Sequence, residues 1–289
     1  MKRKNALPKK QGLWGDVLHS FLRNRMAAFG AVVMILLILC ACFAPLLAPS
    51  GYDDQDASQA KQPPSSEHWF GTDNFGRDIL SRIIYGSQIS LQVGLIAVAI
   101  GLLIGGTLGT VAAFYGGKFD TVIMRFMDVL MAIPGMLLAI AIAASLGTGL
   151  RNMMIAIGLA NAPGFARVAR AAVLTVKDNE YIEAARSIGA GDLRIMLKHI
   201  LPNAVAPIIV QSTLGVAAAI LSCATLSFLG MGIQPPQAEW GAMLSAARQY
   251  LRYEPYMAIF PGLFIMITVF SLNIVGDGIR DAIDPRLKD

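Results

Sequence analysis

Residues 183–202, EAARSIGAGDLRIMLKHILP, place charged, small and glycine residues between two long apolar segments. The stretch is too charged to lie in hydrocarbon, yet its apolar residues recur at i, i+3, i+4 and i+7 on both sides of Gly189, which predicts two short helices with one apolar stripe each. The two sets are Tyr181, Ala184, Ala185 and Ile188, and then Leu193, Met196, Leu197 and Ile200. A loop that only joins two membrane helices does not need this pattern, which therefore indicates docking on another protein.

Local signals set the ends of these two predicted helices. Asn179 is expected to cap the first helix and Asp192 the second. The segment from Gly189 to Gly191 supplies a break that tolerates a positive φ, and Pro202 is expected to end the pair.

Residues suited to catalysis or metal binding form no constellation in this chain. The three histidines, His19, His68 and His199, are far apart, and the three cysteines lie in apolar runs without metal-ligand spacing. A phosphate-binding loop is also absent, because Gly117-Lys118 is followed by Phe119 and no glycine stands five residues before Gly117. The sequence thus predicts neither an enzyme nor a chain that binds a cofactor.

The composition is that of a membrane protein. Hydrophobic residues make up 55% of the chain, charged residues 15%, and the mean hydropathy is +0.57. Five charge-free runs exceed the roughly 20 residues that cross hydrocarbon: 26–52, 83–117, 129–150, 199–238 and 255–276. A sixth span, 152–176, is possible if Arg167 and Arg170 snorkel to the interface. We therefore expect an all-α integral membrane protein with six transmembrane helices and no cleavable signal.

The distribution of basic residues predicts the orientation. With the N-terminus inside, the inner segments hold 18 of the 24 lysines and arginines and the outer segments hold 6. This bias places both termini in the cytoplasm. It also accounts for the net charge of +5 through topology and lipid head groups, without a nucleic-acid partner.

The chain has no predicted soluble domain. Residues 1–25 read as a cytoplasmic amphipathic segment anchored by Trp14, residues 26–48 as the first span, and residues 49–87 as an extracytoplasmic loop. Residues 88–280 form the transmembrane domain, with helices near 88–115, 120–146, 152–172, 204–230 and 256–276. Pro134-Gly135 is expected to kink the second of these. The domain includes the cytoplasmic loop 177–202 and an extracytoplasmic segment, 231–255, and a cytoplasmic tail follows at 281–289.

Two further sets of residues invite a role within the membrane. Gly101, Gly105 and Gly109 are four apart and let another helix approach closely, either in this chain or in a partner. Polar side chains on two predicted helices are candidates to line a translocation path; for the hydroxyls, the alternative is a bond to a carbonyl of the same helix or a bond between helices. This set comprises Asn161, Gln211, Ser212, Thr213, Ser222 and Thr225.

The loop at 183–202 resembles the EAA loop of the permease subunits of bacterial ABC importers that are served by an extracytoplasmic binding protein. That pattern is Glu-Ala-Ala, three residues, a glycine, eleven residues and then Leu-Pro; Glu183-Ala184-Ala185, Gly189 and Leu201-Pro202 fit it. HWFGTDNFGRDILSR, SFLGMGIQPPQAEWGAML and NIVGDGIRDAIDPRL resemble the peptide/nickel branch, and within it the second, dipeptide-type C permease of the pair.

The resemblance implies a type I ABC importer permease in the bacterial inner membrane. Its loop would insert into a groove on an ATPase subunit through Glu183, Ala184, Ala185, Gly189, Leu201 and Pro202. The implied partners are a homologous second permease, two ATPase subunits or domains that bind ATP and Mg, and a substrate-binding protein. The substrate would be a dipeptide, an oligopeptide, glutathione, nickel or a related small solute.

One other class of transporter fits part of the pattern. An ion-coupled secondary carrier with an amphipathic regulatory loop would also be a multi-pass membrane protein. Such carriers usually hold acidic groups near the membrane midplane. The six predicted spans contain only Asp120 and Asp128, toward the inner end of one helix.

Overall fold

The computed structural model describes residues 13–283, which are predominantly helical. The helices are α1 Leu13–Arg23, α2 Arg25–Cys42, α3 Ala44–Leu47, α4 Ile79–Gly101, α5 Thr107–Tyr115, α6 Gly117–Met131, α7 Gly135–Leu146, α8 Leu150–Leu174, α9 Glu180–Ser187, α10 Asp192–Ile195, α11 Leu201–Phe228, α12 Trp240–Ala247 and α13 Tyr256–Ile283. Two π-helical turns, Leu102–Gly106 and Met196–Ile200, join α4 to α5 and α10 to α11. The side chain of Trp14 and residues 284–289 of the predicted tail lie outside the described residues.

Four continuous helices between residues 13 and 283 are long and apolar enough to cross a membrane: Arg25–Cys42, Ile79–Tyr115, Asp192–Phe228 and Tyr256–Ile283. A bent pair, α6 and α7, makes a fifth if it counts as one span. The expected sixth span corresponds to α8, which has 25 residues but is not among these helices. Its arginines and asparagines lower its hydropathy, so the number six stays a prediction.

Helix α8 nevertheless occupies the middle of the molecule. It packs against α4, α5, α6, α7 and α11. The main apolar cluster gathers Ile157 and Phe165 of α8 with Val93 of α4 and Leu226 of α11. A polar helix in lipid needs this kind of protein surrounding, because its charged and amide groups are costly to expose to hydrocarbon.

The span expected from residue 88 begins nine residues earlier, at Ile79. Asp78 caps it, since the Ser81 N–H donates to Asp78 Oδ2 over 2.7 Å. The loop before α4 folds onto this helix start: Arg82 is buried and donates to the Tyr52 carbonyl (2.7 Å), and Arg77 pairs with Asp73 (2.7 Å). Buried charges of this kind are tolerated because they are paired.

The span expected at 120–146 is two helices, α6 and α7, bent by 90°. Pro134 lies at the break and is the N-cap of α7, where the amide hydrogen that proline lacks is not needed. Helix α6 carries charges on the side that faces α8: Arg170 binds Asp120 through two bonds of 2.6 and 2.7 Å, and Arg167 binds Asp128 over 3.0 Å. The two arginines expected to snorkel to the interface therefore pair with the two acidic residues of the predicted spans.

Candidate functional site

The loop that carries the Glu-Ala-Ala motif folds as α9, a tight turn and α10. Gly189 has φ +81°, as its position after the first helix led us to expect. The Gly189 N–H donates to the Arg186 carbonyl and the Ala190 N–H to the Ala185 carbonyl, which is the Schellman pattern of a helix C-terminus. A Cβ placed on Gly189 would meet nothing within 4 Å, so the requirement for glycine within this chain comes from the backbone alone.

One face of this loop anchors it to the transmembrane helices. Ile182, Ala185, Ile195 and Ile200 are buried in a cluster with Phe114 at the end of α5. Lys177 also ties the loop to α5, because its Nζ donates to the Ala113 carbonyl over 3.0 Å. These contacts join the loop to the end of α5.

The opposite face is apolar and exposed. Ile188 is 85% exposed and Leu193 66% exposed, and Glu183, Ala184 and Leu197 are also at the surface. The residues of each predicted stripe therefore lie on two faces. In the first stripe Tyr181 and Ile188 face outward and Ala185 faces inward. In the second, Leu193 and Leu197 face outward and Ile200 faces inward. We expected one apolar side per helix. Instead, one apolar side of the loop packs against the transmembrane helices, and a second apolar side is exposed.

Two expected helix signals differ in the structure. Asp192 is the first residue of α10 and Gly191 is its N-cap, while Asn179 caps α9 by position without a side-chain bond. Pro202 does not end a helix: Asp192–Phe228 runs on as one rod. The π turn at Met196–Ile200 stands directly before Leu201 and Pro202, where the missing N–H of proline removes an α-helical bond.

The glycines at 101, 105 and 109 pack inside this chain, on α8. A Cβ on Gly101 would lie 3.1 Å from the Gly158 carbonyl oxygen, and a Cβ on Gly105 or Gly109 would overlap the carbonyl of Ala162 or Ala166. Of the two arrangements left open by the spacing, the structure therefore has the one within the subunit.

A cavity of about 360 Å³ opens between the α6–α7 bend, α8 and α11. Two of the candidate polar residues, Asn161 and Gln211, line it together. The described residues around them are apolar, glycine or proline: Leu130, Met131, Ile133, Gly135, Leu138, Ala160, Pro163, Gly164, Phe165, Leu214, Gly215 and Ala218. Asn161 Nδ2 is buried without a hydrogen-bond partner among the described residues, which is uncommon for a polar group in a folded protein.

The hydroxyl candidates behave differently from the two amides. Ser212 donates to the Ile208 carbonyl (2.8 Å), Thr213 to Ile209 (3.1 Å) and Thr225 to Leu221 (2.8 Å), each within its own helix. Ser222 is half-buried, and none of the four lines the cavity. The alternative of a bond to a helix carbonyl thus describes three of these side chains.

A second cavity, of about 370 Å³, is almost entirely apolar and brings both π turns together. Leu102, Leu103 and Gly106 belong to the first turn, and Met196 and Leu197 to the second. Leu201 of the Leu-Pro pair lines this groove too. The helix that follows the Glu-Ala-Ala loop and the α4–α5 helix therefore meet where both depart from α-helical geometry.

Helix α12 lies within the segment 231–255, which the sequence predicts on the extracytoplasmic side. Glu239 caps α12, accepting from the Gly241 and Ala242 N–H groups at 2.8 Å each. The buried Trp240 donates its indole N–H to the Ile83 carbonyl over 3.0 Å. Trp69, Phe75 and Tyr253, in the two segments expected on the extracytoplasmic side, are exposed.

Three groups of residues with evident roles were missed by sequence reasoning. The α6–α8 ion pairs needed the 90° bend to be known, and the buried pair of Glu239 and Trp240 needed the contact with α4. The inward face of the loop, Ile182 and Ile195, had a signal that could have been read: both are apolar residues inside short amphipathic helices.

Comparison with known proteins gives consistent matches. Residues 101–289 match the family described as "Binding-protein-dependent transport system inner membrane component", and residues 12–64 match "N-terminal TM domain of oligopeptide transport permease C". The chain is 48% identical over 275 residues to the dipeptide transport system permease protein DppC of Alkalihalophilus pseudofirmus, covering 95% of this chain and 90% of that protein. It is 48% identical over 278 residues to the glutathione transport system permease protein GsiD of Escherichia coli O6:K15:H31, covering 95% and 91%.

A solved structure shares the fold. A chain of the MetNI methionine ABC transporter, in inward-facing conformations, matches with a TM-score of 0.59 at 19% identity, over 71% of this chain and 98% of that one.

Proposed function

The chain belongs to the family of binding-protein-dependent transport system inner membrane components, and from that premise we propose that it is one of two permease subunits of an ATP-driven importer of dipeptides or glutathione-like peptides. It is a multi-pass inner-membrane permease subunit, not an enzyme. ATP and Mg would be bound by separate ATPase subunits. The family sets aside the ion-coupled secondary carrier, and the two relatives named above supply the substrate class.

The observation that carries the mechanism is the place of the exposed loop between two helices that line the cavity. Helix α8 leads into α9, and α10 continues into α11; α8 and α11 also form two walls of the 360 Å³ cavity. When two ATPase subunits close, a groove that holds Ala184, Ile188 and Leu193 would shift the loop, and the ends of α8 and α11 would follow.

The α6–α7 bend would move with α8. The pairs Asp120–Arg170 and Asp128–Arg167 hold α6 against α8, and the bend forms the third wall of the cavity. A homologous permease on the far side of this wall would complete a path across the membrane. In the same proposal the six spans place both termini in the cytoplasm, and 177–202 is the cytoplasmic coupling loop.

The outer surface would receive the loaded binding protein. Residues 49–82 and 231–255 are the largest pieces on that side, and Trp69, Phe75 and Tyr253 offer exposed aromatic rings there. Aromatic side chains are enriched in protein interfaces, so crosslinkers at Phe75 and Gln237 should capture the binding protein during turnover.

Reconstitution tests the function as a whole. The permease pair, the ATPase subunits and the binding protein are placed in proteoliposomes, and uptake of a labelled dipeptide and of glutathione is measured. We expect uptake that requires ATP and binding protein and that persists when an ionophore collapses the proton gradient. Uptake that follows the proton gradient instead would contradict the proposal.

A further inference from the structure

We propose that Asn161 and Gln211 bind the peptide group of the transported molecule, with Asn161 Nδ2 donating to the peptide carbonyl and Gln211 Oε1 accepting from the peptide N–H. The inference rests on the proposed function above and deepens it. It assigns the permease itself a part in substrate recognition, in addition to that of the binding protein.

The first step is the chemistry of the cavity wall. Its volume of about 360 Å³ falls within the ordinary range of small-molecule sites. Among its described lining residues, none is acidic, basic, a histidine or a cysteine. A bare nickel ion would find no imidazole, thiolate or carboxylate ligand here, and a charged terminus would find no counterion. A neutral polar group is what this chain's share of the wall can satisfy.

The second step is the state of the two amides. Asn161 Nδ2 is buried and has no hydrogen-bond partner within residues 13–283, and such a group costs free energy until it finds an acceptor. Gln211, on the facing helix α11, brings a second amide to the same cavity. An amide side chain offers both a donor and an acceptor, so the two together complement the carbonyl and the N–H of one peptide group.

The third step is the contrast with the neighbouring polar residues. Ser212 and Thr213 follow Gln211 directly, yet each satisfies its hydroxyl on a carbonyl of its own helix and does not line the cavity. Of the candidate polar residues, only Asn161 and Gln211 line the cavity, and Asn161 Nδ2 is buried without a hydrogen-bond partner among the described residues. Substitution of either residue should therefore change substrate uptake and leave the stability of the fold unchanged.

The test compares a dipeptide with its depsipeptide, in which an ester oxygen replaces the peptide N–H. Initial uptake rates are measured in proteoliposomes containing the complete transporter, for wild type, Asn161→Leu, Gln211→Met and the control Ser212→Ala. The same saturating binding protein is used throughout, so its own preference cancels when the rate ratio of the two substrates is compared between variants.

We expect wild type and Ser212→Ala to share one dipeptide-to-depsipeptide ratio. Gln211→Met should lower that ratio about fivefold, the value of one hydrogen bond of ordinary strength. Asn161→Leu should slow both substrates about fivefold and leave the ratio unchanged, because both carry the carbonyl. Thermal unfolding of each purified variant should match that of wild type.

An unchanged ratio and unchanged rates in both variants, in a wild type that imports the dipeptide, would overturn this assignment while leaving the proposed function standing. A ratio that also falls in Ser212→Ala would overturn it as well. If wild type imports neither substrate with ATP, the proposed substrate class fails first, and the assignment fails with it.

Discussion

At Gly189 the requirement for one particular residue has a backbone origin. The φ of +81° lies in the region that costs other L-residues roughly 1–2 kcal/mol, and asparagine tolerates it best among them. The space around the α-carbon is open within this chain. A side chain placed there meets only whatever docks on the loop, which separates the effect on folding from the effect on coupling.

We therefore expect Gly189→Val to strain the turn by roughly 1–2 kcal/mol and to obstruct docking, with loss of uptake and of substrate-stimulated ATP hydrolysis. Gly189→Asn should keep the turn and retain more ATPase binding than the valine variant.

Glu183→Arg, which reverses an exposed charge beside Ala184, should abolish coupling at normal expression. Transport in vesicles, together with ATPase assembly on the purified permease pair, measures all three; normal uptake by both Gly189→Val and Glu183→Arg would exclude the loop as the transmission element.

Sequence reasoning reached the individual residues where local chemistry decides. The positive φ at Gly189 follows from its place after an amphipathic helix, and the exposure of Ile188 and Leu193 follows from a pattern too regular for a plain linker. The pairing of Arg170 with Asp120 does not follow from sequence, because 50 residues separate them. The free amide of Asn161 could be named as a candidate, but only the cavity distinguishes it from Thr213.

At the scale of elements, the contact of the α4–α5 helix with α8 depends on glycines, whose lack of a side chain lets the two backbones touch. Gly105 and Gly109 lie directly on the carbonyls of Ala162 and Ala166, so α8 can approach only where no Cβ intervenes. Close approach of this kind replaces the hydrophobic drive that lipid does not provide.

Gly105→Val should accordingly destabilise the permease by about 3 kcal/mol, the upper end of ordinary overpacking, because a backbone carbonyl cannot move aside as a side chain can. Gly164→Ala is the matched control on α8, since its Cβ would meet nothing within 4 Å. Thermal unfolding in detergent measures both. Equal midpoints for the two variants would mean that α5 does not rest on α8 in this way.

The helices themselves could be predicted wherever a long apolar run defines them, as for α2, α11 and α13. Their irregularities could not. The two π turns, Leu102–Gly106 and Met196–Ile200, line one groove together, and this contact is not visible in the sequence of either helix. The 90° bend at Pro134 exceeds what one proline in a predicted span indicates, and the start of α4 at Ile79 depends on Asp78 and on a loop folded over it.

At the scale of the whole molecule, one exposed apolar stripe lies on α6, next to the cavity. On α6 the residues Phe119, Val122, Phe126 and Val129 are exposed and recur on one side, opposite the side that carries the ion pairs to α8. The stripe leads to the bend that walls the cavity. A partner permease seated on this stripe would close the open side of the cavity, whereas lipid would leave the path unsealed.

We expect a photocrosslinker at Phe126 (59% exposed) to capture the homologous permease in the assembled transporter. A crosslinker at Leu36 on α2, which is equally exposed at 59%, is the control and should capture neither permease, because α2 lies away from the cavity walls. The capture should occur once per complex, since a path made by two different permeases holds one copy of this chain. Capture of a second copy of this chain at Phe126, in a complex active without any other permease, would show that the cavity is completed by self-association and would remove the case for a heteromeric pair.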